Sequence, residues 1–193
     1  MTPAARRLED WTEEAERREP WIRRAAWVVL ALSLLSFLVR GADNPSDPKL
    51  VSADRRPMAG FEEVPFRVTL PDGKDLDWCA LLAATEAARE QGLMDQHDLR
   101  GFDAMLFRFD LPSTTAFYMF QTPLPLSIAW FDGHGAFVSA SDMEPCASSD
   151  PNACPLYPAS RPYRFALEVA QGELEHLGAV EGSSLSLPGG SCR

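Results

Sequence analysis

An uncharged apolar run near the N-terminus constrains this chain more than any other feature. The run begins at Ala25, ends at Val39 and reads AAWVVLALSLLSFLV. A helix of this length spans only about 22 Å, whereas the hydrocarbon core of a bilayer is about 30 Å thick. Counted from Trp21, with Arg23 and Arg24 snorkelling toward the headgroups, the helix reaches about 28 Å. The sequence therefore predicts a single transmembrane anchor over residues 25–39.

A cleaved signal peptide is the alternative to an anchor, because its apolar stretch can be equally short. Two observations favour the anchor. The segment in front of the run is 24 residues long and carries six acidic side chains. Moreover, Arg40 stands two places before Ala42, where a cleavage site requires a small residue. Six arginines precede the run and only four basic residues follow closely, which places the N-terminus in the cytoplasm and the remainder outside.

The chain divides around this anchor into five segments. The predicted segments are a cytoplasmic charged tail (1–24), the transmembrane anchor (25–39), a proline-rich linker (40–64), a β-rich domain (65–187) and a short tail (188–193). All four cysteines follow the anchor, on the side that would be oxidising. Residues 51–193 carry twenty acidic and ten basic side chains, whereas residues 1–50 are neutral. So acidic a domain repels phosphate backbones, which excludes nucleic acid as a partner.

Short apolar runs separated by turn residues predict strands in the C-terminal part. The predicted strands are residues 66–70, 76–84, 104–109, 115–120, 126–131, 136–141, 163–169 and 183–187. A short helix over Glu86–Gln91 is predicted from Thr85 as its N-cap and Gly92 as its end, and a helical turn over residues 173–177. The fold class is therefore mainly β, a small antiparallel sandwich or barrel with one or two short helices.

The same segments, in this order, resemble the family called domain of unknown function 192. The matching residues are Gly92-Leu93-Met94, Met105-Leu106-Phe107, Phe117-Tyr118-Met119 with Thr122, Pro125 and Leu126, Asp132 and Gly135, Pro145-Cys146, Cys154-Pro155, YRFALEV at residues 163–169, Gly172, Leu177-Gly178 and Gly182. The resemblance covers residues 65–187. It implies a small β-sandwich or barrel of jelly-roll type, often exported, with no established activity.

Several positions depart from the pattern of that family. Gln96 stands where the family has arginine, and Ser127 stands where it has aspartate. The family's Met-Lys-Asn-Thr becomes Met-Phe-Gln-Thr, so Phe120 and Gln121 replace lysine and asparagine. If relatives catalyse a reaction through those charged residues, these substitutions predict that this chain does not. Aromatic surfaces with amide groups instead suit sugars, peptides or protein partners. The predicted binding residues are accordingly Tyr118, Phe120, Gln121, Thr122 and Ser127.

Reactive side chains give no catalytic pattern. The sequence has no G-x-S-x-G elbow, no C-x-x-C and no H-x-x-x-H, so neither a nucleophile nor a metal site is predicted, and no cofactor. Asp142 and Glu144 follow a strand two residues apart and are the carboxylates most comparable to a catalytic pair. Arg164 and Glu168 share a strand face and are predicted to have a structural role, pairing with each other or with a neighbouring strand.

Cysteine spacing predicts one disulfide directly. Cys146 and Cys154 enclose a nine-residue loop, and closing it removes about 2.6 kcal/mol of chain entropy. Cys79 and Cys192 are the remaining pair, although Cys192 could instead cross-link two chains.

Two functions remain open at this point. The first is a non-catalytic binding or accessory module of the cell envelope, tethered to the membrane and contacting an envelope polymer or a protein. The second is a hydrolase or lyase acting on an envelope polymer. Grouped carboxylates with raised pKa values in a cleft would favour the enzyme, whereas a shallow aromatic groove would favour the binding module.

Overall fold

The computed structural model describes residues 55–192, which lie within one compact unit of the chain, Pro48–Arg193. The predicted tail, anchor and first part of the linker lie outside the described residues. Within residues 55–192, no helix is both long enough and apolar enough to cross a membrane.

One curled sheet of seven strands forms the body of the molecule, which confirms the mainly β class. The strands are β1 (Glu62–Thr69), β2 (Asp75–Ala83), β3 (Ala104–Ser113), β4 (Leu126–Phe131), β5 (Phe137–Met143), β6 (Tyr163–Ala170) and β7 (Ser184–Ser186). They lie in the order β5-β4-β6-β3-β2-β1-β7. β1 begins at Glu62, three residues before the predicted start of the domain.

The two edges of the sheet meet. The Leu185 N–H donates to the Gly135 carbonyl at 2.8 Å, and the Phe137 N–H donates to the Ser183 carbonyl at 3.1 Å. A β-bridge joins Ala136 to Ser184 beside these bonds. The seam hides much of the unpaired backbone that an open sheet would expose at its edges.

Two details of the predicted sheet were wrong. β2 and β3 pair in parallel, not antiparallel, because the connection between them contains a helix and returns the chain to the same end of the sheet. Residues 115–120 form no strand; a single bridge joins Phe117 to Tyr157. Phe117 and Met119 pack onto the face of the sheet, whereas Tyr118 between them is exposed, so the alternation reflects burial against a surface and not strand pairing.

Among residues 55–192, two short helices lie on opposite faces of the sheet. The sequence predicts both helices at these positions. α1 (Glu86–Gln91) begins where the Thr85 side chain accepts from the Ala88 N–H at 3.2 Å, and it ends at Gly92. α2 (Leu174–Leu177) ends at Gly178 in the left-handed conformation.

Alternation along the strands produces two hydrophobic cores. The α1-side core contains Leu81, Met105, Phe107, Trp130 and Ala166. Their neighbours along each strand belong to the α2-side core, for example Leu82, Leu106, Phe131 and Leu167. The long connections pack over the α1-side core, and beside α1 there is an opening into it.

Candidate functional site

The opening is a cleft of about 330 Å³ between α1, the connection 115–122 and the strands β3 and β6. We call it the α1 cleft. Its lining residues are Glu86, Arg89, Glu90, Gln91, Gly92, Leu93, Met94, Phe107, Phe109, Thr115, Ala116, Phe117, Tyr118, Met119, Thr122, Tyr163 and Glu168.

Aromatic rings in mutual contact form one wall of the cleft. The Phe117 ring lies edge-on to Phe107 with centroids 5.0 Å apart, and Phe109 lies edge-on to Tyr163 at 5.3 Å. Phe117 also contacts the buried Trp130 ring at 6.2 Å. These edge-to-face contacts fix the rings, so the wall is already formed before any ligand enters.

The cation of the cleft, Arg89, is already engaged by the protein. Its guanidinium donates to the carbonyl oxygens of Ala84 at 2.6 Å and Arg108 at 3.1 Å. It also lies 4.9 Å from the centroid of the Phe109 ring. Arg89 therefore fastens α1 to β3.

Two hydroxyl groups of the cleft also have partners. Tyr163 donates to the Thr115 carbonyl at 2.7 Å, and Thr122 donates to the Phe120 carbonyl at 3.2 Å. Burial raises the pKa of the Tyr163 phenol above its ordinary value. The Tyr163 bond joins the connection 115–122 to β6, whereas the Thr122 bond lies within the connection.

Glu168 differs from the other polar side chains of the cleft. It stands in the middle of β6, between Met105 of β3 and Ile128 of β4, and only 5% of the residue is exposed. Among residues 55–192, no group donates a hydrogen bond to its carboxyl group or forms an ion pair with it. Burial alone raises its pKa from 4.5 to about 8. The carboxyl group is therefore protonated in the empty cleft near neutral pH.

Of the two predicted partners of Arg164, Glu168 or a neighbouring strand, the structure shows the second. The Arg164 side chain donates to the Phe109 carbonyl at 2.9 Å. Sequence analysis assigned Glu168 a structural role, although one signal was available: it is the single acid in the otherwise apolar stretch FALEVA. An acid at such a position is either paired or functional.

Two of the five predicted binding residues line the α1 cleft. Tyr118 is 41% exposed at its rim, and Thr122 is buried in it. Phe120 and Gln121 belong to the turn between them and do not line the cleft. Ser127 faces the α2 side of the sheet, where its hydroxyl accepts from the Gly172 N–H at 2.9 Å and donates to the Asp142 carboxylate.

The substituted polar positions serve local structure. Gln121 has a φ of +52°, a left-handed conformation that asparagine adopts more readily than glutamine. The family's asparagine there fits a backbone requirement. The side-chain amide oxygen of Gln96 accepts a hydrogen bond from the Arg100 guanidinium at 3.1 Å within the same loop. Since Ser127 lies on the other face, these three positions do not converge on one site.

Asp142 and Glu144 lie apart from the α1 cleft. Asp142 faces Ser127 on the α2 side, and Glu144 accepts from the Gln171 side chain at 2.8 Å. Neither lines the cleft with Glu168. The carboxylate pair suggested by the sequence therefore does not form a site with the buried acid.

The cysteines are paired within the chain. Cys146 is bonded to Cys154 and Cys79 to Cys192, each with Cα atoms 5.6 Å apart. Glu63 lies close to the second pair and completes a group with possible metal ligands, but the bond between the two sulfur atoms removes both thiolates.

These features define a class of small, mainly β domain with a curled seven-stranded sheet, two short helices and an aromatic cleft beside the first helix. The chain belongs to the DUF192 family, described as "uncharacterized ACR", whose model matches residues 68–187. No curated protein matches it.

Two solved structures share the fold. A protein from Sinorhizobium meliloti, described there as a candidate transcription regulator, is 23% identical with a TM-score of 0.58, over 68% of this chain and 98% of that one. At this identity the likeness shows the fold alone. A protein of unknown function from Novosphingobium aromaticivorans is 27% identical with a TM-score of 0.56, over 68% and 90% of the two chains. Neither likeness assigns a specific function to this chain.

Proposed function

We propose that this chain is a membrane-tethered, extracytoplasmic binding module of the cell envelope, and that its ligand enters the α1 cleft. The observation that carries the proposal is the preformed aromatic wall around an acid without a partner. Apolar clefts with few convergent polar groups are the usual form of small-molecule sites.

The location outside the cytoplasmic membrane rests on two independent features. The sequence supplies the apolar run 25–39 with its basic N-terminal flank. The described part of the chain carries two disulfides, which persist in oxidising compartments. Both features support the N-terminus inside and the domain outside.

A cleft-filling substitution tests the binding role. Ala116 lines the cleft, so Ala116→Trp places a large ring inside it. Leu111→Trp is the matched control, because Leu111 is highly exposed and outside the lining. Thermal unfolding of the purified full chain is followed with N-acetylglucosamine, glucosamine, a peptidoglycan stem peptide and putrescine.

We expect at least one of these compounds to raise the unfolding temperature of the wild type and of Leu111→Trp, but not of Ala116→Trp. Binding to a native state stabilises it by mass action, which gives the shift. A shift that survives Ala116→Trp, or the absence of any shift in the wild type, would contradict the proposal.

One observation also favours a hydrolase or lyase as the second candidate. A buried carboxyl with a pKa of about 8 is suited to donate a proton near neutral pH. Glycoside hydrolysis commonly needs a second carboxylate, and the others lining the cleft are Glu86 and Glu90 on α1, both exposed. In this case Glu168→Gln would abolish turnover of an envelope polymer while leaving its binding intact.

A further inference from the structure

The α1 cleft contains a buried carboxyl group that the described part of the protein leaves without a partner. The guanidinium of Arg89 and the hydroxyls of Tyr163 and Thr122 all donate to backbone carbonyls. The Glu168 carboxyl lines the same cleft, is 5% exposed and has no partner among residues 55–192. A buried polar group without a partner lowers the stability of the protein. A ligand that supplies the missing hydrogen bond removes this cost, which contributes favourably to the free energy of binding.

The charges around the cleft select the kind of partner. Glu86 and Glu90 stand on α1 at the cleft, and the charge of Arg89 is held against two carbonyls and the Phe109 ring. Acidic side chains also outnumber basic ones two to one over residues 51–193. The field at the opening therefore attracts cations and repels anions.

The walls suit a cation that carries an apolar group. Two aromatic residues, Phe107 and Phe117, and two methionines, Met94 and Met119, line the cleft. Aromatic rings attract ammonium and guanidinium groups, and methionine adapts to irregular apolar shapes.

We infer that the ligand of the α1 cleft is an organic cation, an amine or guanidinium compound whose charged group is bound by Glu168 and whose apolar part lies against Phe107, Phe117 and Met119. This inference rests on the proposed binding function and specifies its ligand class.

Proton release is the expected signature of such binding. The empty cleft keeps Glu168 protonated near neutral pH, and an ammonium group requires the carboxylate. The other titratable groups lining the cleft are Glu86, Arg89 and Glu90 on α1, Tyr118 on the connection and Tyr163 on β6. β3 and β4 place apolar side chains beside Glu168. Burial raises the pKa of Glu168 to about 8, so this carboxyl changes its ionisation near neutral pH.

Three probes of similar shape test the inference on the full-length wild-type chain. They are 2-phenylethylamine, the neutral 2-phenylethanol and the anionic 3-phenylpropionate, with affinities measured by calorimetry in buffers of different ionisation enthalpy. We expect binding of the amine at pH 7 to release close to one proton from Glu168, which the buffer takes up. Its affinity should rise about tenfold from pH 6 to pH 7, because the ionised fraction of Glu168 rises by that factor below its pKa.

The Glu168→Gln variant is the second measurement. It should bind the amine roughly tenfold or more weakly, as a charged hydrogen bond is lost, and should bind the alcohol as the wild type does. Equal affinity for amine and alcohol in the wild type, without proton release, would overturn the cation inference and leave the binding function standing. Tighter binding of the anion would overturn it as well. Failure of all three probes, together with the absence of any thermal shift in the panel above, would overturn the binding function itself.

Discussion

Glu168 occupies the environment least suited to its residue type. Its neighbours on β6 and on the adjoining strands are apolar, and it has no charged or hydrogen-bonding partner in the described part of the chain. Acidic side chains are almost never fully buried without a partner. Such a residue lowers the stability of the domain, which is typical of functional sites and not of structural ones.

The first prediction is that Glu168→Gln stabilises the domain, and does so more at pH 8 than at pH 5. The unfolded carboxyl ionises above about 4.5, whereas the folded one keeps its proton until about 8. Folded protein therefore loses stability as the pH rises through this window, by roughly 3 kcal/mol at pH 7. Glutamine removes that loss.

Denaturant unfolding of both chains at the two pH values, followed by tryptophan fluorescence, checks the prediction. Glu181→Gln is the control, because Glu181 is exposed. An equal stability change at pH 5 and pH 8 would show that the carboxyl of Glu168 is not held un-ionised.

Two of the predicted binding residues line the α1 cleft, but Glu168 was not among the predicted residues. Tyr118 and Thr122 belong to a segment that the sequence predicts to present aromatic and amide groups at the surface. Glu168 was missed because its isolation depends on α1 and the connection 115–122 lying over the sheet. Whether a strand acid is solvated or buried depends on contacts between residues far apart in sequence.

At the level of elements, the closure of the sheet depends on Gly135. Its φ is +81°, and a β-carbon added there would lie 2.0 Å from the Leu185 carbonyl oxygen. That oxygen belongs to β7, which meets the start of β5 at the seam. A side chain at residue 135 would therefore clash with β7 at the seam.

The second prediction is that Gly135→Ala destabilises the domain by several kcal/mol. The added methyl group forces β7 away from residues 135–137 and breaks two backbone hydrogen bonds. Gly73→Ala is the matched control, since Gly73 has a φ of +86° with nothing within 4 Å. The control should cost only about 1 kcal/mol of backbone strain. Equal costs in denaturant unfolding would show that the seam adds nothing to stability.

The elements fall into those that local sequence predicts and those that it does not. α1 was predicted because Thr85 and Gly92 mark its ends, and β4 and β6 because their residues are β-branched, aromatic or apolar between turns. The parallel pairing of β2 with β3 was not predicted from the sequence, because strand order is set by packing across the whole sheet. The predicted strand over residues 115–120 was wrong for the same reason. Alternation of apolar residues indicates burial but does not identify a pairing strand.

At the level of the molecule, a disulfide joins the last residues of the chain to β2. Cys79 and Cys192 are 113 residues apart in sequence, whereas Cys146 and Cys154 are 8 apart. Longer closed loops restrict the unfolded chain more.

The third prediction is that Cys79→Ala with Cys192→Ala lowers the free energy of unfolding by about 4 to 5 kcal/mol, against about 2 to 3 for Cys146→Ala with Cys154→Ala.

Unfolding of both double variants checks this order, and mass mapping of a non-reduced digest verifies the pairs. A larger loss from the short loop, or a digest with Cys192 bonded to another chain, would contradict it.

The fourth prediction concerns topology. If the run 25–39 anchors the chain with its N-terminus inside, protease added to intact spheroplasts should remove the C-terminal domain and spare residues 1–24. A cytoplasmic protein in the same cells is the control for lysis. A domain degraded only after lysis would reject the proposed location.

The most direct test of the whole account is the titration of the Glu168 carboxyl itself. Carbon-13 NMR of glutamate-labelled full-length chain, with Glu168→Gln to assign the signal, gives its pKa with and without 2-phenylethylamine. We expect a pKa of about 8 in the empty cleft and a lower pKa when the amine is bound, because a neighbouring cation favours the carboxylate. A titration near 4.5 in the empty cleft, unchanged by the amine, would contradict it.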